Sequence, residues 1–275
     1  MTRTLAGRTI LMSGGSRGIG LAIAERAARD GANVAIVAKT DTPHPRLEGT
    51  IHTAAAAIEA AGGQALPVLG DVRSQESVQE AVDRTVERFG GIDVVVNNAS
   101  AIDLSSTADL SMKKYDLMQD INTRGSFLLA KTALPHLRAS GAAHVLTLSP
   151  PLNLNPRWAG AHLGYTIAKY GMSLVTLGLA EEWREHGIAA NSLWPRTAIA
   201  TAAVQNLLGG EKAMAGSRKP EIMADAAHAV LTRAPAECTG QFLIDDEVLA
   251  EEGVTDLSVY GPPLEELLPD FFLDE

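Results

Sequence analysis

Residues 9–29 have the sequence TILMSGGSRGIGLAIAERAAR, a short apolar run followed by closely spaced glycines and then by an amphipathic segment. The apolar residues within Thr9–Ser13 are consecutive, which predicts a β-strand buried on both faces. Residues 18–29 carry apolar side chains at steps of three and four, the period of an α-helix. This part of the chain therefore predicts a strand, a glycine-rich loop and a helix in direct succession.

The same alternation continues along the rest of the chain. Further aliphatic runs predict strands over residues 33–38, 65–69, 92–97, 144–149, 188–194 and 241–245. Helical spacing of apolar residues predicts helices between them, over residues 50–61, 74–89, 116–137 and 165–186. Strands that alternate with helices run parallel and are joined by right-handed crossovers, with helices on both faces of the sheet. We therefore expect an α/β protein of the Rossmann type, with a doubly wound, seven-stranded parallel sheet.

The composition is that of an ordinary globular domain. Of the 275 residues, 46% are hydrophobic and 20% are charged, which excludes a disordered chain. We expect one domain that spans residues 1–275. The 33 acidic residues outnumber the 23 basic ones, the net charge is −10, and no run of positive charge is longer than Lys113-Lys114. This balance disfavours nucleic acid as a partner.

Cys238 is the only cysteine, so the chain has no pair for an internal disulfide and no set of thiolates for a metal centre. The seven histidines are scattered without metal-ligand spacing, so we expect no metal site. Neither a signal peptide nor a run of about 18 apolar residues is present, so we expect no membrane span. These features predict a cytoplasmic protein in a reducing compartment.

The glycines after the first strand, Gly14, Gly18 and Gly20, have the spacing Gly-x-x-x-Gly-x-Gly. Glycine permits a tight turn and lets a diphosphate approach the main-chain amides, while the following helix directs the positive end of its dipole at the anion. Glycines also occur in plain turns, but their position between a strand and a helix favours a nucleotide site. We therefore expect a dinucleotide cofactor to bind at this loop.

The choice between NAD and NADP depends on the end of the second strand. An acidic residue about 20 positions after the glycines would bind a ribose 2′-hydroxyl and favour NAD. Lys39 occupies that place, 19 residues after Gly20, and Arg17 lies in the glycine loop. Two cations can neutralise a 2′-phosphate, whereas solvated surface cations, with Asp41 nearby, are the competing interpretation. We expect NADP, with NAD as the alternative.

Polar and small residues also follow the third and fourth strands. Asp71 is placed to accept a hydrogen bond from an adenine amino group, and a helix N-cap is its competing role, for which Ser74 is better placed. Residues 97–100, Asn-Asn-Ala-Ser, leave room for a cofactor ribose against the backbone, although Asn97 could equally bridge neighbouring strands. We expect both segments to border the cofactor.

Tyr165 and Lys169 lie four residues apart in a predicted helix, so their side chains share one face. The phenol of a free tyrosine has a pKa of about 10, and a neighbouring ammonium lowers it. We therefore expect Lys169 to lower the pKa of Tyr165, so that the phenol can exchange a proton with an alcohol or carbonyl oxygen. The pattern Tyr-x-x-x-Lys is common by chance, and the glycine loop in the same chain makes it informative.

Together these motifs resemble the short-chain dehydrogenase/reductase family over residues 9–245. The matching motifs are SGGSRGIG at residues 13–20, NNAS at 97–100, Asn122 within INTRG, and YTIAK at 165–169. Segments outside the general pattern, such as SPPLNLNP at 149–156 and LWP at 193–195, indicate one subgroup of that family. The resemblance implies a nicotinamide cofactor and an oxidoreductase.

The resemblance also assigns roles to individual residues. Tyr165 would donate or accept the proton, and Lys169 would bind the nicotinamide ribose and tune the phenol. Asn122 would hold a water that links Lys169 to solvent, and an amide satisfied by backbone at a helix kink is its alternative. The residues expected to contact the cofactor are Gly14, Ser16, Arg17, Gly18, Ile19, Gly20, Lys39, Asp71, Val72, Asn98, Ala99, Tyr165, Lys169 and Pro195.

Two positions depart from the family pattern. The fifth strand of the family usually ends in a serine that orients the substrate oxygen, and the equivalent position here is Pro150, with Ser149 one residue earlier. We expect Ser149 either to act as the catalytic serine through a shifted loop or to satisfy local backbone, in which case Tyr165 works without that partner. Arg196 follows Pro195 where the family commonly has glycine, and it could attract an anionic substrate group or pair with an acidic helix residue.

We expect an NADP(H)-dependent oxidoreductase that transfers hydride to or from a carbonyl or hydroxyl group. Apolar residues of the surrounding loops favour an apolar, lipid-like substrate, unless they pack a lid or an interface; they are Leu152, Leu154, Trp158, Trp194 and Leu207. A catalytically weak, NADP-binding redox sensor or scaffold is the alternative, since Pro150 replaces the serine. Dehydration or epimerisation would use the same tyrosine but usually requires a larger substrate domain.

The resemblance also implies that copies of the chain assemble with one another. In this family the helices that flank the tyrosine, here residues 116–137 and 165–186, usually pair across a two-fold axis, which implies a homodimer or a homotetramer. Residues 260–275 contain leucines and phenylalanines that make this end too hydrophobic to stay free in water. We expect it to be a docking tail that packs against a neighbouring subunit.

Overall fold

The structure, a computed structural model, describes residues 3–43, 48–207 and 209–274, apart from the side chain of Leu207. Its centre is a sheet of seven parallel strands in the order β3-β2-β1-β4-β5-β6-β7. The strands are β1 Thr9–Ser13, β2 Asn33–Ala38, β3 Gln64–Leu69, β4 Val94–Asn97, β5 His144–Thr147, β6 Ala189–Trp194 and β7 Phe242–Ile244. This arrangement confirms the predicted doubly wound, seven-stranded parallel sheet.

Helices cover both faces of the sheet and alternate with the strands. They are α1 Gly18–Ala28, α2 Ile51–Ala60, α3 Gln75–Phe89, α4 Met112–Met118, α5 Gly125–Leu137, α6 Pro156–Ala161, α7 Leu163–Glu182, α8 Ala202–Leu207, α9 Gly210–Ala215, α10 Glu221–Leu231 and α11 Asp245–Glu251. None of the helices in these described ranges is long and apolar enough to cross a membrane.

The unbroken apolar runs reflect burial on both sides of the sheet. In β1 the side chains of Ile10 and Met12 belong to one apolar core, and that of Leu11 belongs to the other. All three are fully buried, because successive side chains of a strand point to opposite faces. The first core is closed by α1 and α10, and the second is closed by α3 and α5.

The predicted helix over residues 116–137 begins earlier and is irregular in the structure. It starts at Met112 as α4, passes through a π-helical segment at Gln119–Arg124 and continues as α5. A π-helical turn inserts an extra residue and therefore rotates the side chains that follow it. The spacing of apolar residues at steps of three and four does not reveal such a turn, so the sequence does not predict it.

The helix α10 is another element that the sequence pattern does not predict. Its residues are buried around most of the helix, as Ile222, Met223, Ala226 and Val230 illustrate. A helix that is apolar on nearly every side lacks the amphipathic period by which a surface helix is recognised. This helix packs against α1 and so supports the element that starts at the glycine loop.

The strand order reverses between β1 and β4, which are neighbours although the chain visits β2 and β3 between them. In the register of this pair, Ser13 lies beside Asn97. The glycine loop after β1 and the polar segment after β4 therefore leave the sheet side by side. In open α/β sheets such a crevice, at the carboxyl ends of the strands, is the usual ligand site.

Candidate active site

The loop after β1 requires glycine for steric reasons. Gly14 and Gly18 have φ angles of +74° and +55°, in the left-handed region that favours glycine. A Cβ atom on Gly20 would lie 2.5 Å from Asn98 Nδ2 and 2.7 Å from Gly14 O, too close for any side chain. Asn98 Nδ2 also donates to Gly14 O at 2.8 Å. The loop is thus packed directly onto the end of β4, and this contact fixes the start of α1.

A cleft of about 540 Å³ opens beside this loop. Ligand pockets in proteins commonly have volumes of about 300 to 1,000 Å³. The predicted cofactor residues that line the cleft are Gly14, Ser16, Arg17, Gly18, Ile19, Lys39, Asp71, Val72, Asn98 and Ala99. Gly20 lies instead beneath the loop, against Asn98. The volume, the glycines and the helix start fit a dinucleotide.

Lys39 and Arg17 form a cationic wall at one end of the cleft. Lys39 Nζ lies 3.4 Å from Asp71 Oδ2, and the lysine side chain is 60% exposed. Arg17 Nε donates to Glu48 O at 2.8 Å, and its Nη2 donates to Gly49 O at 2.9 Å. Backbone carbonyls therefore fix the guanidinium, and no carboxylate among the described residues forms an ion pair with it.

Asp71 is paired with two cations at the rim of the cleft. Arg73 Nη2 lies 2.6 Å from Asp71 Oδ2, the oxygen that Lys39 also approaches. The hydrogen bond from Arg73 is the main reason why the pKa of Asp71 lies well below its usual value. The N-cap of α3 is Ser74, whose Oγ accepts from Ser77 N at 3.1 Å. Asp71 is therefore not the N-cap of α3, and it lines the cleft instead. No sequence motif points to its partner Arg73.

A smaller cavity of about 190 Å³ continues from the cleft towards β5 and β6. Ile19 and Asn98 line both spaces, which shows that the two adjoin. The predicted residues Tyr165, Lys169 and Pro195 line the smaller one. The structure thus brings the two ends of the predicted site together along a single path.

Lys169 is buried in α7 at the wall of this smaller cavity. Its Nζ donates to Leu148 O at 2.9 Å and lies 5.1 Å from the centroid of the Trp194 ring. Burial lowers the pKa of Lys169 to about 8, and the nearby carboxyl of Asp270 opposes this shift. A carbonyl at the end of β5 and an aromatic face therefore hold the ammonium in one position.

The Tyr165 phenol is enclosed by aromatic side chains. Its ring centroid lies 6.5 Å from that of Phe271 and 6.1 Å from that of Phe272. Burial raises the pKa of the phenol well above its usual value, and the carboxyl of Asp270 raises it further. The prediction that Lys169 lowers this pKa is therefore wrong for the protein alone, because the rings displace the water that would stabilise a phenolate.

Asn122 and Ser149, the other two predicted catalytic residues, do not line either cavity. Asn122 lies in the π-helical segment, where its Nδ2 donates to Ala101 O at 3.0 Å and its Oδ1 accepts from Ala101 N at 2.8 Å. Ser149 is fully buried, and its Oγ has no hydrogen-bond partner among the described residues. Leu148, one residue earlier, lines the smaller cavity instead. The amide of Asn122 thus joins the helix kink to the segment after β4.

Residues 268–274, here called the tail, cross the reaction end of the site. Ala198 N donates to Leu268 O at 2.8 Å, and Asp270 N donates to Arg196 O at 3.0 Å. These bonds hold the tail against the loop after β6. The sequence predicts that this end of the chain docks on a neighbouring subunit, whereas the described tail packs on its own chain.

The tail inserts two phenylalanines beside the predicted proton donor. Phe271 packs edge-on against His162, with ring centroids 4.7 Å apart, and its carbonyl oxygen accepts from Trp194 Nε1 at 3.0 Å. Phe272 is fully buried, and its ring lies 5.3 to 6.1 Å from four others, those of Trp158, Tyr165, Tyr170 and Trp194. The apolar spacing of the tail is the sequence signal for this burial, but it does not identify the surface that is covered.

Polar contacts fasten the outer end of the tail. Arg157 Nη2 lies 2.8 Å from Asp274 Oδ1, to which Trp158 Nε1 also donates at 3.2 Å. Asn153 Nδ2 donates to the other carboxylate oxygen at 2.9 Å. All three partners belong to the proline-rich segment between β5 and α7. This segment and the tail therefore hold one another in place.

Arg196 is engaged in ion pairs. Its Nε lies 2.5 Å from Asp246 Oδ2, and its Nη2 lies 2.5 Å from Glu247 Oε1, which supports the interpretation as a partner of acidic helix residues.

Of the apolar pocket residues predicted, Trp158 and Trp194 join the cluster of aromatic rings around Phe272, and the side chain of Leu207 lies outside the described residues. Within the described ranges, no group of three or more histidine, cysteine, aspartate or glutamate side chains could hold a metal ion.

Comparison with known proteins matches both the motifs and the fold. Residues 8–211 match the family model described as short chain dehydrogenase. Hydroxysteroid dehydrogenase-like protein 2 of Xenopus laevis is 57% identical over 275 residues, which are 100% of this chain and 65% of that protein. The chain thus spans just under two thirds of the length of this relative.

Two crystal structures resemble the chain over almost its whole length. A provisionally described dehydrogenase from Xanthomonas campestris is 60% identical, with a TM-score of 0.95, and the match covers 99% of this chain and 100% of that one. A short chain dehydrogenase from Mycobacterium thermoresistibile is 56% identical, with a TM-score of 0.93, and the match covers 98% of this chain and 96% of that one. The subgroup indicated by residues 149–156 and 193–195 is therefore that of hydroxysteroid dehydrogenase-like protein 2 and bacterial relatives.

Proposed function

The chain belongs to the short-chain dehydrogenase family, and from that premise we propose that it is an NADP(H)-dependent oxidoreductase acting on a carbonyl or hydroxyl group of an apolar, lipid-like substrate. The observation that carries this proposal is that the cofactor cleft and the smaller cavity beside Tyr165 are continuous. The cleft beside the glycine loop runs into the cavity that Tyr165 and Lys169 line. Members of this family are oxidoreductases that bind a nicotinamide dinucleotide.

The residues of the cleft suit the parts of such a cofactor. The glycine loop and the start of α1 would bind the diphosphate, and Asp71 with Val72 would border the adenine. Asn98 and Ala99 would lie against a ribose, and Pro195 against the nicotinamide. When bound, the dinucleotide supplies a hydride to, or takes one from, the carbon that bears the substrate oxygen.

Tyr165 is the proposed proton donor when a carbonyl is reduced. Its raised pKa supports this role, because the phenol keeps its proton throughout the physiological pH range. As the proton leaves, a phenolate forms, and the ammonium of Lys169 would stabilise it as an opposite charge. We further propose that Lys169 binds the nicotinamide ribose and that Asn122 supports it. Ser149 is fully buried and lines neither cavity, so we propose that Tyr165 works without this serine as a partner.

Two cations at the end of the cleft support NADP over NAD. Lys39 is mostly exposed to the cleft opening, and Arg17 has no carboxylate partner among the described residues. A 2′-phosphate carries the opposite charge and accepts several hydrogen bonds from such groups. The ion pair of Lys39 with Asp71 would be shared with that phosphate.

Lys39→Asp is expected to weaken NADPH binding about tenfold or more, and to change NADH binding about threefold or less, because the new carboxylate repels a 2′-phosphate but can accept from a 2′-hydroxyl. Titration of each cofactor by fluorescence measures both dissociation constants. Lys113→Asp, the same charge reversal on the exposed surface of α4, is the matched control. Equal losses for the two cofactors would contradict the phosphate contact.

The apolar wall of the smaller cavity supports an apolar substrate. Ile102, Ile199, Val204, Met223 and Phe271 all contribute to it. Apolar walls with a few polar groups are typical of sites that bind hydrophobic small molecules. With the tail in place, a cavity of about 190 Å³ admits the reacting end of a lipid-like molecule.

The test is an assay of NADPH absorbance with an aliphatic aldehyde, a cyclic ketone and a steroid ketone as trial substrates. Oxidation of NADPH by any of them supports the proposal. Tight binding of NADPH without turnover would instead favour a catalytically weak redox sensor or scaffold. That second candidate is supported by Pro150, which offers no hydrogen-bond donor at the end of β5.

We also propose that the chain forms a homodimer or a homotetramer. Side chains on α7 that remain exposed although apolar include Ile167, Leu174 and Leu177, at 43%, 58% and 43% exposure, and Phe127 on the adjacent α5 is 47% exposed. Such a face on two neighbouring helices suits a symmetric contact between copies.

We propose a cytoplasmic location for the protein, which would keep the buried thiol of Cys238 reduced.

Leu174→Glu is expected to lower the molar mass of the assembly, because a carboxylate buried without a partner at an apolar interface strongly opposes association. Light scattering after size exclusion should then show a species close to the 28.9 kDa of one chain. Leu69→Glu, at a leucine that is 55% exposed on the edge strand β3, is the matched control and should leave the mass unchanged. An unaltered mass for the α7 variant would contradict this interface.

A further inference from the structure

We propose that Asp270 is a catalytic residue, whose protonated carboxyl donates a hydrogen bond to the substrate carbonyl oxygen beside Tyr165; this inference rests on the function proposed above. Asp270 lines the same smaller cavity as Tyr165 and Lys169. It would thereby supply the donor that the end of β5 lacks. The ligand concerned is the carbonyl group of an aldehyde or ketone.

The end of β5 does not supply that donor. Pro150 has no donor side chain, and its carbonyl oxygen accepts from Ser173 Oγ at 2.6 Å. Ser149 is fully buried and does not line the smaller cavity, whereas its neighbour Leu148 does. A carbonyl oxygen in this cavity would therefore meet Tyr165 but no hydroxyl from β5.

The tail holds Asp270 in a fixed position in the cavity wall. Its backbone N donates to Arg196 O at 3.0 Å, and its Oδ1 accepts from Phe271 N at 2.7 Å. Its Oδ2 forms no hydrogen bond within the described residues. The neighbouring Phe271 and Phe272 are packed among aromatic rings, so the carboxyl has little freedom to move. One oxygen is thus fixed by the backbone and the other remains available to a ligand.

The surroundings of Asp270 keep a proton on it near neutral pH. Burial, with a smaller contribution from the buried Asp245, raises its pKa to about 7, against the hydrogen bond from Phe271 N and the charge of Lys169, which both lower it. Tyr165 is a further titratable group close to it, and so is His162, which packs on Phe271 and whose pKa burial lowers. The cation of Arg196 is paired with Asp246 and Glu247. An apolar site can in this way hold a carboxylic acid neutral so that it donates a hydrogen bond.

The charge state of Asp270 would decide how the site works. Below its pKa the neutral carboxyl donates to the carbonyl oxygen, while Tyr165 gives up the proton that moves and Asp270 keeps its own. Above it, a carboxylate would repel the carbonyl oxygen and would raise the pKa of Tyr165 further. Carbonyl reduction should therefore decline as the pH rises through about 7.

The test uses Asp270→Ala and Asp270→Asn in the full chain, with the aldehyde and ketone substrates named above. Asp270→Ala should lower kcat about 100-fold and change KM about threefold or less, the usual cost of one lost donor in the transition state. Asp270→Asn keeps an N–H donor and should retain kcat within about tenfold, but without the decline through about pH 7; a decline above about pH 8, where Lys169 loses its proton, would remain. Asp274→Asn, the same change four residues along the tail, should keep the decline through about pH 7.

A second measurement is independent of turnover. With aspartate labelled by ¹³C in its carboxyl group, infrared difference spectra of the protein alone should show a protonated carboxyl that is lost on titration through about pH 7. This signal should be missing from Asp270→Asn and present in Asp274→Asn, which separates it from the signal of Asp245. If Asp270→Ala does not fold, the kcat, the pH profile and the infrared spectrum of Asp270→Asn test the role of Asp270.

The outcomes distinguish this inference from the function on which it depends. Turnover by the wild type with unchanged kcat and pH profile in both Asp270 variants would overturn the role of Asp270 and leave the oxidoreductase proposal intact. A protonated-carboxyl signal that titrates through about pH 7 and persists unchanged in Asp270→Asn would also overturn it. Failure of the wild type to turn over any trial substrate would overturn the proposed oxidoreductase and this inference together.

Discussion

Tyr165→Phe is expected to lower kcat by about 1,000-fold while the dissociation constant of NADPH changes by about twofold or less. The substitution removes the phenolic oxygen and keeps the ring that packs against Phe271 and Phe272. The site then lacks the group that gives up its proton to the substrate oxygen as the carbonyl is reduced. Positioned acid and base groups contribute about 100- to 10,000-fold to enzymatic rates, so this loss should be easy to detect.

Turnover of NADPH with the best trial substrate gives kcat, and fluorescence titration gives the affinity for the cofactor. Tyr170→Phe provides the control, since Tyr170 also lies in α7 and packs against Phe272, but its hydroxyl donates to the backbone oxygen of Asn153. That variant should keep kcat within about threefold, because it removes only a structural hydrogen bond. Retention of wild-type kcat in Tyr165→Phe would rule out the phenol as proton donor.

Phe272→Ala is expected to lower the free energy of unfolding by about 3 to 5 kcal/mol, the usual cost of removing a buried phenylalanine ring. The ring is fully buried and four other aromatic rings surround it, so its removal leaves a void that these rings cannot readily fill. Phe272 also has a φ angle of +71°, an uncommon conformation for a residue with a side chain. Because alanine keeps a Cβ atom, the substitution leaves this backbone strain in place.

Urea denaturation followed by tryptophan fluorescence measures the loss, since Trp158 and Trp194 both contact the ring of Phe272. Leu268→Ala is the control in the same tail, where the leucine is 41% exposed and its removal should cost about 1 kcal/mol or less. A loss that small for Phe272→Ala would mean that the tail is not part of the cooperative core.

The arrangement of the sheet could be predicted from the sequence because its strands are buried on both faces. In β1, for example, Ile10, Leu11 and Met12 are consecutive apolar residues that fill two different cores. The helix α10 could not be predicted in this way, since its small buried residues on nearly every side erase the amphipathic period. Local sequence patterns therefore identify a helix with one buried face, or a strand with both faces buried. They identify a helix that is buried on nearly every side less well.

The site was predictable where backbone geometry demands a particular residue. Gly14, Gly18 and Gly20 are required by positive φ angles or by close packing, so their spacing marks the loop. The direction of the pKa shift of Tyr165 could not be predicted, because the rings of Phe271 and Phe272 reach it from a distance of more than 100 residues along the chain. The same distance conceals Asp270 from any local motif.

The tail also has a consequence for the order in which the molecule is made. Residues 268–274 leave the ribosome after every other element that borders the site, because the cleft residues extend only to Met223 before them. Domains acquire structure while synthesis proceeds from the amino terminus. A nascent chain can therefore assemble its nucleotide crevice first, and the chamber beside Tyr165 receives this wall only when translation has passed Phe271 and Phe272.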